Sequence, residues 1–192
     1  MYKLDEQEKT IVKELIKNSR ISDNQISIKT SIPLKTVNRK RKLLEERGFL
    51  YYLCYLNNTD TGTGSFRART LLITVFRDGI TRKSLTERFE KSDKAMKFFT
   101  KHIFMTQVGE YEGNVALLMQ VESRRPEDII EIYNAELVSE LQDVFGANCI
   151  KKTINIPVRT TLRAVRNYLP GLNIERGRIK EDWPDENIFV DE

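Results

Sequence analysis

The sequence predicts an α+β chain in which a winged helix-turn-helix domain precedes a ferredoxin-like βαββαβ domain. Two observations lead to this fold class. The first fifty residues show three short stretches of helical periodicity, whereas strand-like and helix-like runs alternate after residue 66. The excess of positive over negative charge also lies at the start: residues 1–50 carry 12 Lys and Arg against 7 Asp and Glu, and residues 51–192 carry 20 against 21.

The composition of the chain limits the broad classes of protein to which it can belong. Of 192 residues, 40% are apolar and 31% are charged, which is typical of a folded globular protein. The apolar runs are far shorter than the roughly 18 residues that a membrane span requires, and the first ten residues lack the apolar segment of a secretion signal. With one histidine and two distant cysteines, we expect a reduced, cytoplasmic protein without a metal or cofactor.

Residues 1–50 are predicted to form three helices. Capping-box pairs open the first two: Asp5 with Glu8, and Ser22 with Gln25. Pro33 suits the first residue of the third helix, where its missing N–H costs nothing, and Gly48 suits the stop. Only three or four residues then separate the second and third helices, which is typical of a helix-turn-helix.

The third helix is predicted to carry an exposed polar and basic face. At about 100° per residue, Leu34, Val37 and Leu44 form the buried stripe. Lys40 and Arg41 fall nearer to that stripe. Arginine and lysine can bind guanine or phosphate, and asparagine can pair with adenine in the major groove. The residues expected to bind DNA are Lys35, Thr36, Asn38, Arg39 and Lys42.

Two other interpretations of this helix stay open. A run of charges is often only a solvated surface, and a degenerate helix-turn-helix can serve ligand binding or assembly without DNA. Three features favour DNA binding: the capped helix before it, the length of the turn, and the confinement of the positive charge to this part of the chain.

The signals divide the chain into four segments. Tyr51 to Leu56 is rich in β-prone residues and is predicted to leave the helical domain as a strand. The C-terminal extension is predicted to open with a helix over 159–169, and its acidic tail is expected to wrap a neighbouring subunit or remain mobile. The predicted segments are a helix-turn-helix domain (1–56), a hinge (57–66), a ligand-sensing and dimerisation domain (67–158) and the extension (159–192).

The βαββαβ order comes from the runs between residues 70 and 158. Strands are predicted at 70–76, 103–108, 115–121 and 150–158, and helices at 81–100, with an irregularity at Ser92-Asp93, and at 126–146. The second helix is predicted to bury Ile130, Tyr133, Leu137, Leu141 and Val144. Both faces of the first strand are apolar, but the helices can cover only one. We therefore expect a symmetric homodimer, or a higher homo-oligomer, packed through the other face.

Residues 4–50 resemble the N-terminal domain of the leucine-responsive (Lrp/AsnC) transcriptional regulators. The matching residues are Leu4-Asp5, Arg20-Ile21-Ser22, Val37, Arg39, Leu44-Glu45 and Gly48. In that family a hinge and a βαββαβ domain follow, which agrees with the order predicted here. The resemblance, to a divergent archaeal-type member, implies dimers or larger assemblies that bind double-stranded DNA and respond to small metabolites, frequently amino acids.

The resemblance also implies an effector site. The segment GEYEGN, residues 109–114, resembles a family hairpin near which effectors bind between subunits, so Gly109, Glu110 and Tyr111 are candidate effector contacts. A tight hairpin needs glycine and asparagine for backbone reasons alone, and that explanation stays open. Arg41 departs from the family's aliphatic residue, and we expect its stem to pack while its guanidinium reaches solvent.

An enzyme is the remaining alternative. Some proteins of this two-domain architecture decarboxylate sirohaem with histidine and arginine beside a tetrapyrrole. This chain has only His102, at the start of a predicted strand, and lacks the His/Asn/Tyr-rich segment expected there. We therefore predict that the chain is not an enzyme.

Overall fold

A computed structural model of the protein describes residues 2–54, 56, 64, 66–169 and 171–188. The chain divides into two compact units, Met1–Tyr55 with Thr160–Glu192, and Leu56–Arg159. The C-terminal extension therefore belongs to the same unit as the helix-turn-helix. No helix in the described ranges is long and apolar enough to cross a membrane. Most of the predicted hinge lies outside the described residues.

Three helices open the first unit: α1 (Glu6–Lys17), α2 (Asp23–Thr30) and α3 (Leu34–Glu46). Both predicted capping boxes are formed. Pro33 is the N-cap of α3 rather than its first residue, so the helix begins one residue later than predicted. Gly48, with φ of +70°, follows the end of α3 and adopts a left-handed conformation that favours glycine.

The core of these helices is small and aliphatic. It consists of Ile11, Leu15, Ile21, Ile26, Ile32 and Val37. Leu34 is 47% exposed, so its predicted place in the buried stripe of α3 is wrong. The stripe consists of Val37, Lys40 and Leu44, and Leu34 lies about 90° from its centre on a helical projection. Lys40, which the pattern put nearer to the stripe, is part of it.

The predicted strand after α3 is not formed. Residues 51–54 and 56 are described, and none of them belongs to a strand. Tyr51 and Leu53 are 73% and 83% exposed. β-Propensity reflects fit to a neighbouring strand, and the described part of this segment has no strand beside it.

The second unit is a four-stranded antiparallel sheet with the strand order β2-β3-β1-β4. This confirms the ferredoxin-like fold. Ser92 separates the first two helices, where the sequence predicted an irregularity. The elements are β1 (Ala68–Phe76), α4 (Arg82–Lys91), α5 (Asp93–His102), β2 (Ile103–Tyr111), β3 (Asn114–Ser123), α6 (Asp128–Ile132), α7 (Ser139–Phe145) and β4 (Ile150–Val158).

A π-helical segment, Tyr133–Val138, joins α6 to α7. The buried residues recur every fourth position: Ile129, Tyr133, Leu137 and Leu141. A straight α-helix would drift by about 40° at each such step, and the wider π turn offsets this drift. The prediction that Ile130 and Val144 are buried is therefore wrong, since they are 37% and 39% exposed.

The helices cover one face of the sheet, where Leu72, Phe76, Leu117 and Met119 are buried. The other face, called the open face here, is apolar, and its central residues are Leu71, Ile73, Leu118, Ile154 and Ile156. Ile150 lies on the opposite face from Ile154 and Ile156, because an irregularity in the β1–β4 register pairs it with Phe76 and directs it toward the helix-side core.

The extension folds without the predicted helix at 159–169. Val165 and Tyr168 instead form a tight antiparallel bridge. Helical geometry is disfavoured for a residue that precedes a proline, and Leu169 precedes Pro170. A hairpin of β5 (Ile174–Glu175) and β6 (Arg178–Ile179) comes next, and a 3₁₀ turn follows at Asp185–Asn187.

Candidate nucleic-acid interface

The exposed face of α3 contains the residues predicted to bind DNA. Lys35, Asn38, Arg39 and Lys42 are exposed, and Thr36 is half-buried beside them. Lys35, Asn38 and Lys42 follow one another at intervals of three and four residues, and Arg39 lies next to Asn38. The helix therefore brings these side chains onto one surface.

Asn38 is oriented by the neighbouring helix. Its Nδ2 donates a hydrogen bond to Oδ2 of Asp23, at the start of α2, over 2.9 Å. The amide retains a second N–H and its carbonyl oxygen Oδ1. Adenine is read by one donor and one acceptor of an asparagine amide, so this arrangement leaves both groups available for a base.

The cations on this face differ in how they are engaged. In the part of the chain that the structure describes, Lys35 and Arg39 take part in no ion pair. Lys42 lies 3.7 Å from a carboxylate oxygen of Glu46, and both side chains are exposed. An exposed pair of this kind contributes little, so all three cations remain free to bind an anion.

Arg41 connects α3 to α2, which corrects the expectation that its guanidinium reaches solvent. Its Nη1 donates to Oδ1 of Asp23 over 2.9 Å and to the carbonyl of Ile21 over 3.1 Å. Its Nε donates to Glu45 over 3.0 Å, and the Tyr52 hydroxyl donates to the same carboxylate. Burial and the hydrogen bond to Glu45 raise the pKa of Tyr52 to about 12. Arg41 therefore holds the two helices together.

Lys40 is buried in the middle of α3. Its ammonium contacts the carboxylate of Asp5 and lies 3.7 Å from an oxygen of Glu8, whose side chain is 4% exposed. The hydroxyl of Tyr2 donates to Glu8 over 2.7 Å. The hydrogen bond from Lys40 lowers the pKa of Asp5, as does the backbone N–H of Glu8. The residues that cap α1 thus also anchor α3.

The candidate effector residues lie in β2 rather than in a loop. Gly109, Glu110 and Tyr111 pair with β3, and the turn consists of Glu112 and Gly113. A Cβ at position 109 would come within 3.2 Å of Leu118 Cδ1, so packing also favours a glycine here. Glu110 is exposed, and the Lys152 ammonium lies 5.3 Å from the centre of the Tyr111 ring.

His102 is the last residue of α5 and is 5% exposed. Its Nε2 lies 3.8 Å from a carboxylate oxygen of Glu136 in the π-helical segment. Its ring packs beside Phe98. The histidine therefore lies in the packed interior of the second unit.

Residues 4–51 match the family model described as winged helix-turn-helix DNA-binding. The match covers α1, α2 and α3, and so includes every residue of the exposed basic face. No curated protein matches the chain.

Solved structures resemble more than four-fifths of the chain. A Neisseria meningitidis transcriptional regulator in complex with L-Met has 13% identity and a TM-score of 0.60, with 84% of this chain and 94% of that chain covered. An AsnC-family regulatory protein of Pyrococcus furiosus has 15% identity and a TM-score of 0.57 over 81% and 89%. Escherichia coli AsnC has 12% identity and a TM-score of 0.60 over 85% and 99%.

The chain has the Lrp/AsnC fold. The resemblance found in residues 4–50 is thus confirmed at the level of the fold. Of these structures, the Neisseria meningitidis and Pyrococcus furiosus proteins are transcriptional regulators.

Replacing Lys40 with methionine is expected to destabilise the Lrp/AsnC-type helix-turn-helix unit by on the order of 3 kcal/mol, because Glu8 would remain buried without its cation. Chemical denaturation followed by circular dichroism measures this change. Lys35→Met, which removes an exposed and unpaired cation of the same helix, is the control and should change stability by less than about 0.5 kcal/mol. Equal effects of the two substitutions would contradict the role of Lys40.

Proposed function

We propose that the chain is a sequence-specific, dimeric transcriptional regulator of the Lrp/AsnC type that binds double-stranded DNA through α3 and responds to a small metabolite. The observation that carries this proposal is the sorting of charges on α3. Lys40 and Arg41 are used inside the unit, whereas Lys35, Arg39 and Lys42 remain on its surface.

This sorting favours DNA binding over a solvated helix. A surface chosen only for solubility gives no reason for cations and one oriented amide to gather on a single helical face. The recognition helix of a helix-turn-helix lies in the major groove with its N-terminal part toward the bases. Lys35, Asn38 and Arg39 lie in the first two turns of α3. Arg39 and Asn38 are therefore assigned to bases, and Lys35 and Lys42 to phosphates.

The open face of the sheet supports a homodimer. Ile156 is 46% exposed there, and Leu71 and Ile73 lie beside it on β1. A large exposed apolar patch is typical of a protein interface. A second copy of the chain presents the same patch, so the two sheets can pack face to face about a twofold axis.

Two observations support a small-molecule effector: a ligand in a similar structure, and an exposed carboxylate at the end of β2. The Neisseria meningitidis regulator that resembles this chain was solved with L-Met. Glu110 and Tyr111 lie at the end of β2, where an exposed carboxylate can bind an amino group. We propose that an amino acid binds here.

Selection of fragments from the source genome, followed by titration of the selected sites, tests DNA binding. Arg39→Ala and Asn38→Ala should each reduce affinity for a selected site by about 1–3 kcal/mol and relax its sequence preference. Lys35→Gln and Lys42→Gln should weaken binding to all sequences and reduce the salt dependence by about one phosphate contact each.

Lys83→Gln, which removes an exposed cation from α4 in the other unit, is the control for loss of charge. It should leave both site preference and salt dependence unchanged. If the wild-type protein binds DNA without preferring any site, the helix-turn-helix is degenerate and the proposed sequence-specific function is wrong.

Ile156→Asp is expected to convert the dimer to a monomer, because it would place a carboxylate at the centre of two packed sheets. Light scattering coupled to gel filtration measures the mass. Ile130→Asp changes a partly exposed isoleucine of α6 and should leave the dimer intact. An unchanged mass for Ile156→Asp would show that the open face is not the interface.

Calorimetric titration with the twenty amino acids tests the effector. We expect at least one of them to bind the wild-type protein, and Glu110→Gln to weaken that binding at least about tenfold through loss of a charge-assisted hydrogen bond. Glu112→Gln, in the adjacent turn, is the matched control. Binding that survives Glu110→Gln would place the effector elsewhere.

A further inference from the structure

Charge is divided sharply within the C-terminal extension. Residues 159–180 contain six Lys and Arg against one Glu, whereas residues 181–192 contain six Asp and Glu and neither Lys nor Arg. The near-neutral total of residues 51–192 conceals this division. The basic part is comparable in net charge to the whole of residues 1–50, which carry a net charge of +5.

The extension is attached to the helix-turn-helix unit at the C-terminal end of α1. The hydroxyl of Tyr168 donates to the carbonyl of Ile16 over 2.9 Å. Lys17 pairs with Asp185 over 2.8 Å. Ile179 and Ile188 are 6% and 1% exposed, so apolar packing supports these polar contacts. The described part of the extension up to residue 188 therefore packs within the unit that carries α3.

The hairpin β5–β6 holds two arginines in place. Its turn is Arg176-Gly177, with φ of +48° and +78°. Two successive residues with positive φ form the turn that matches the twist of a tight hairpin. Ile174 pairs with Ile179 at the base, where Ile179 is buried, and Arg176 and Arg178 are exposed at the other end.

The cations of this segment are exposed and unengaged. Arg163, Arg166, Arg176, Arg178 and Lys180 are all exposed. None of them takes part in an ion pair or side-chain hydrogen bond within the ranges that the structure covers. Asp185, the acidic residue of the tail that does form a pair, binds Lys17 of α1 instead. In the described residues the basic segment is therefore available to an external anion.

The basic segment is attached at a point close in sequence to the helices that are proposed to bind DNA. α1 ends at Lys17, and the loop that follows leads within five residues to Asp23. Asp23 in turn contacts both Asn38 and Arg41 of α3. The basic segment is therefore attached one short loop before the helix pair that approaches DNA.

We propose that residues 163–180 form a basic arm that binds the DNA backbone beside the site read by α3, in the role that a wing has in other helix-turn-helix proteins. This inference rests on the proposed function, since it needs DNA to be held by the same unit. Arginine is suited to phosphate because its guanidinium can donate two parallel hydrogen bonds. Backbone contacts add affinity and salt dependence without adding sequence preference.

The test replaces all five cations of the arm with glutamine in the full chain. Salt-dependent titrations then use a selected genomic fragment and a random duplex of equal length. We expect the slope of log affinity against log salt to fall in magnitude by about 0.9 for each phosphate that the arm no longer neutralises, hence by about 2–4 in total. Affinity for both duplexes should fall by a similar factor, and the ratio between them should stay constant.

The test includes two further variants, a smaller change within the arm and a control for loss of charge. Arg176→Gln with Arg178→Gln changes only the hairpin tip, and a melting temperature equal to that of the wild type shows that the hairpin is still folded. The control replaces five exposed cations of the second unit with glutamine: Arg82, Lys83, Lys91, Lys97 and Lys101. A salt slope for the five-residue arm variant equal to that of this control would overturn the basic arm.

The outcomes separate the two proposals. If the wild type binds DNA and Arg39→Ala removes its site preference, while the arm variant matches the control, only the basic arm is wrong. If the wild type binds no DNA at all, both proposals fail. If the arm variant leaves DNA binding unchanged but lowers the oligomeric mass, the arm binds another copy of the chain, and the DNA assignment is overturned.

Discussion

The helix-turn-helix unit depends on the buried ammonium of Lys40. It contacts Asp5 and Glu8, which also form the capping box of α1, so one cation joins the start of the first helix to the middle of the third. Glu8 is almost fully buried and would be costly to leave charged without a partner. With α3 fixed to α1 in this way and to α2 through Arg41, the rotation of α3 is determined, and with it the set of side chains on the proposed DNA-binding surface.

Charged residues of one sequence run therefore perform different tasks. Lys40 and Arg41 stabilise the packing of the helices, and their partners are carboxylates of α1 and α2. Lys35 and Arg39 are left without such partners in the described chain, and this availability is what an anionic ligand requires. The extension shows the same division on a larger scale, because its basic half stays exposed while Asp185 of its acidic half pairs with α1.

The sequence predicted the elements well where a local interaction defines them. Capping boxes, the stop at Gly48 and the break at Ser92 were all found, because each is set by neighbouring residues. The predictions were wrong where contacts with residues distant in the sequence determine the structure. Leu34 was placed in the buried stripe of α3 but is exposed. Lys40, which the pattern put nearer to that stripe, is buried against carboxylates more than thirty residues away. Ile129 is buried in place of Ile130 because of a π turn that residue periodicity does not reveal. The described residues of the strand predicted at 51–56 form no strand for the same reason, since a strand needs a neighbouring strand.

The sequence by itself determined the order of elements within residues 1–50 and 67–158 and the exposed polar face of α3, because periodicity and capping act between residues that are close in sequence. Only the tertiary structure decided which cations are engaged, how Asn38 is oriented by Asp23, and that the C-terminal extension folds onto α1. These features depend on contacts between segments that are far apart in the chain. Ile16 and Tyr168 are separated by 152 positions, and nothing in either local sequence identifies the other as its partner.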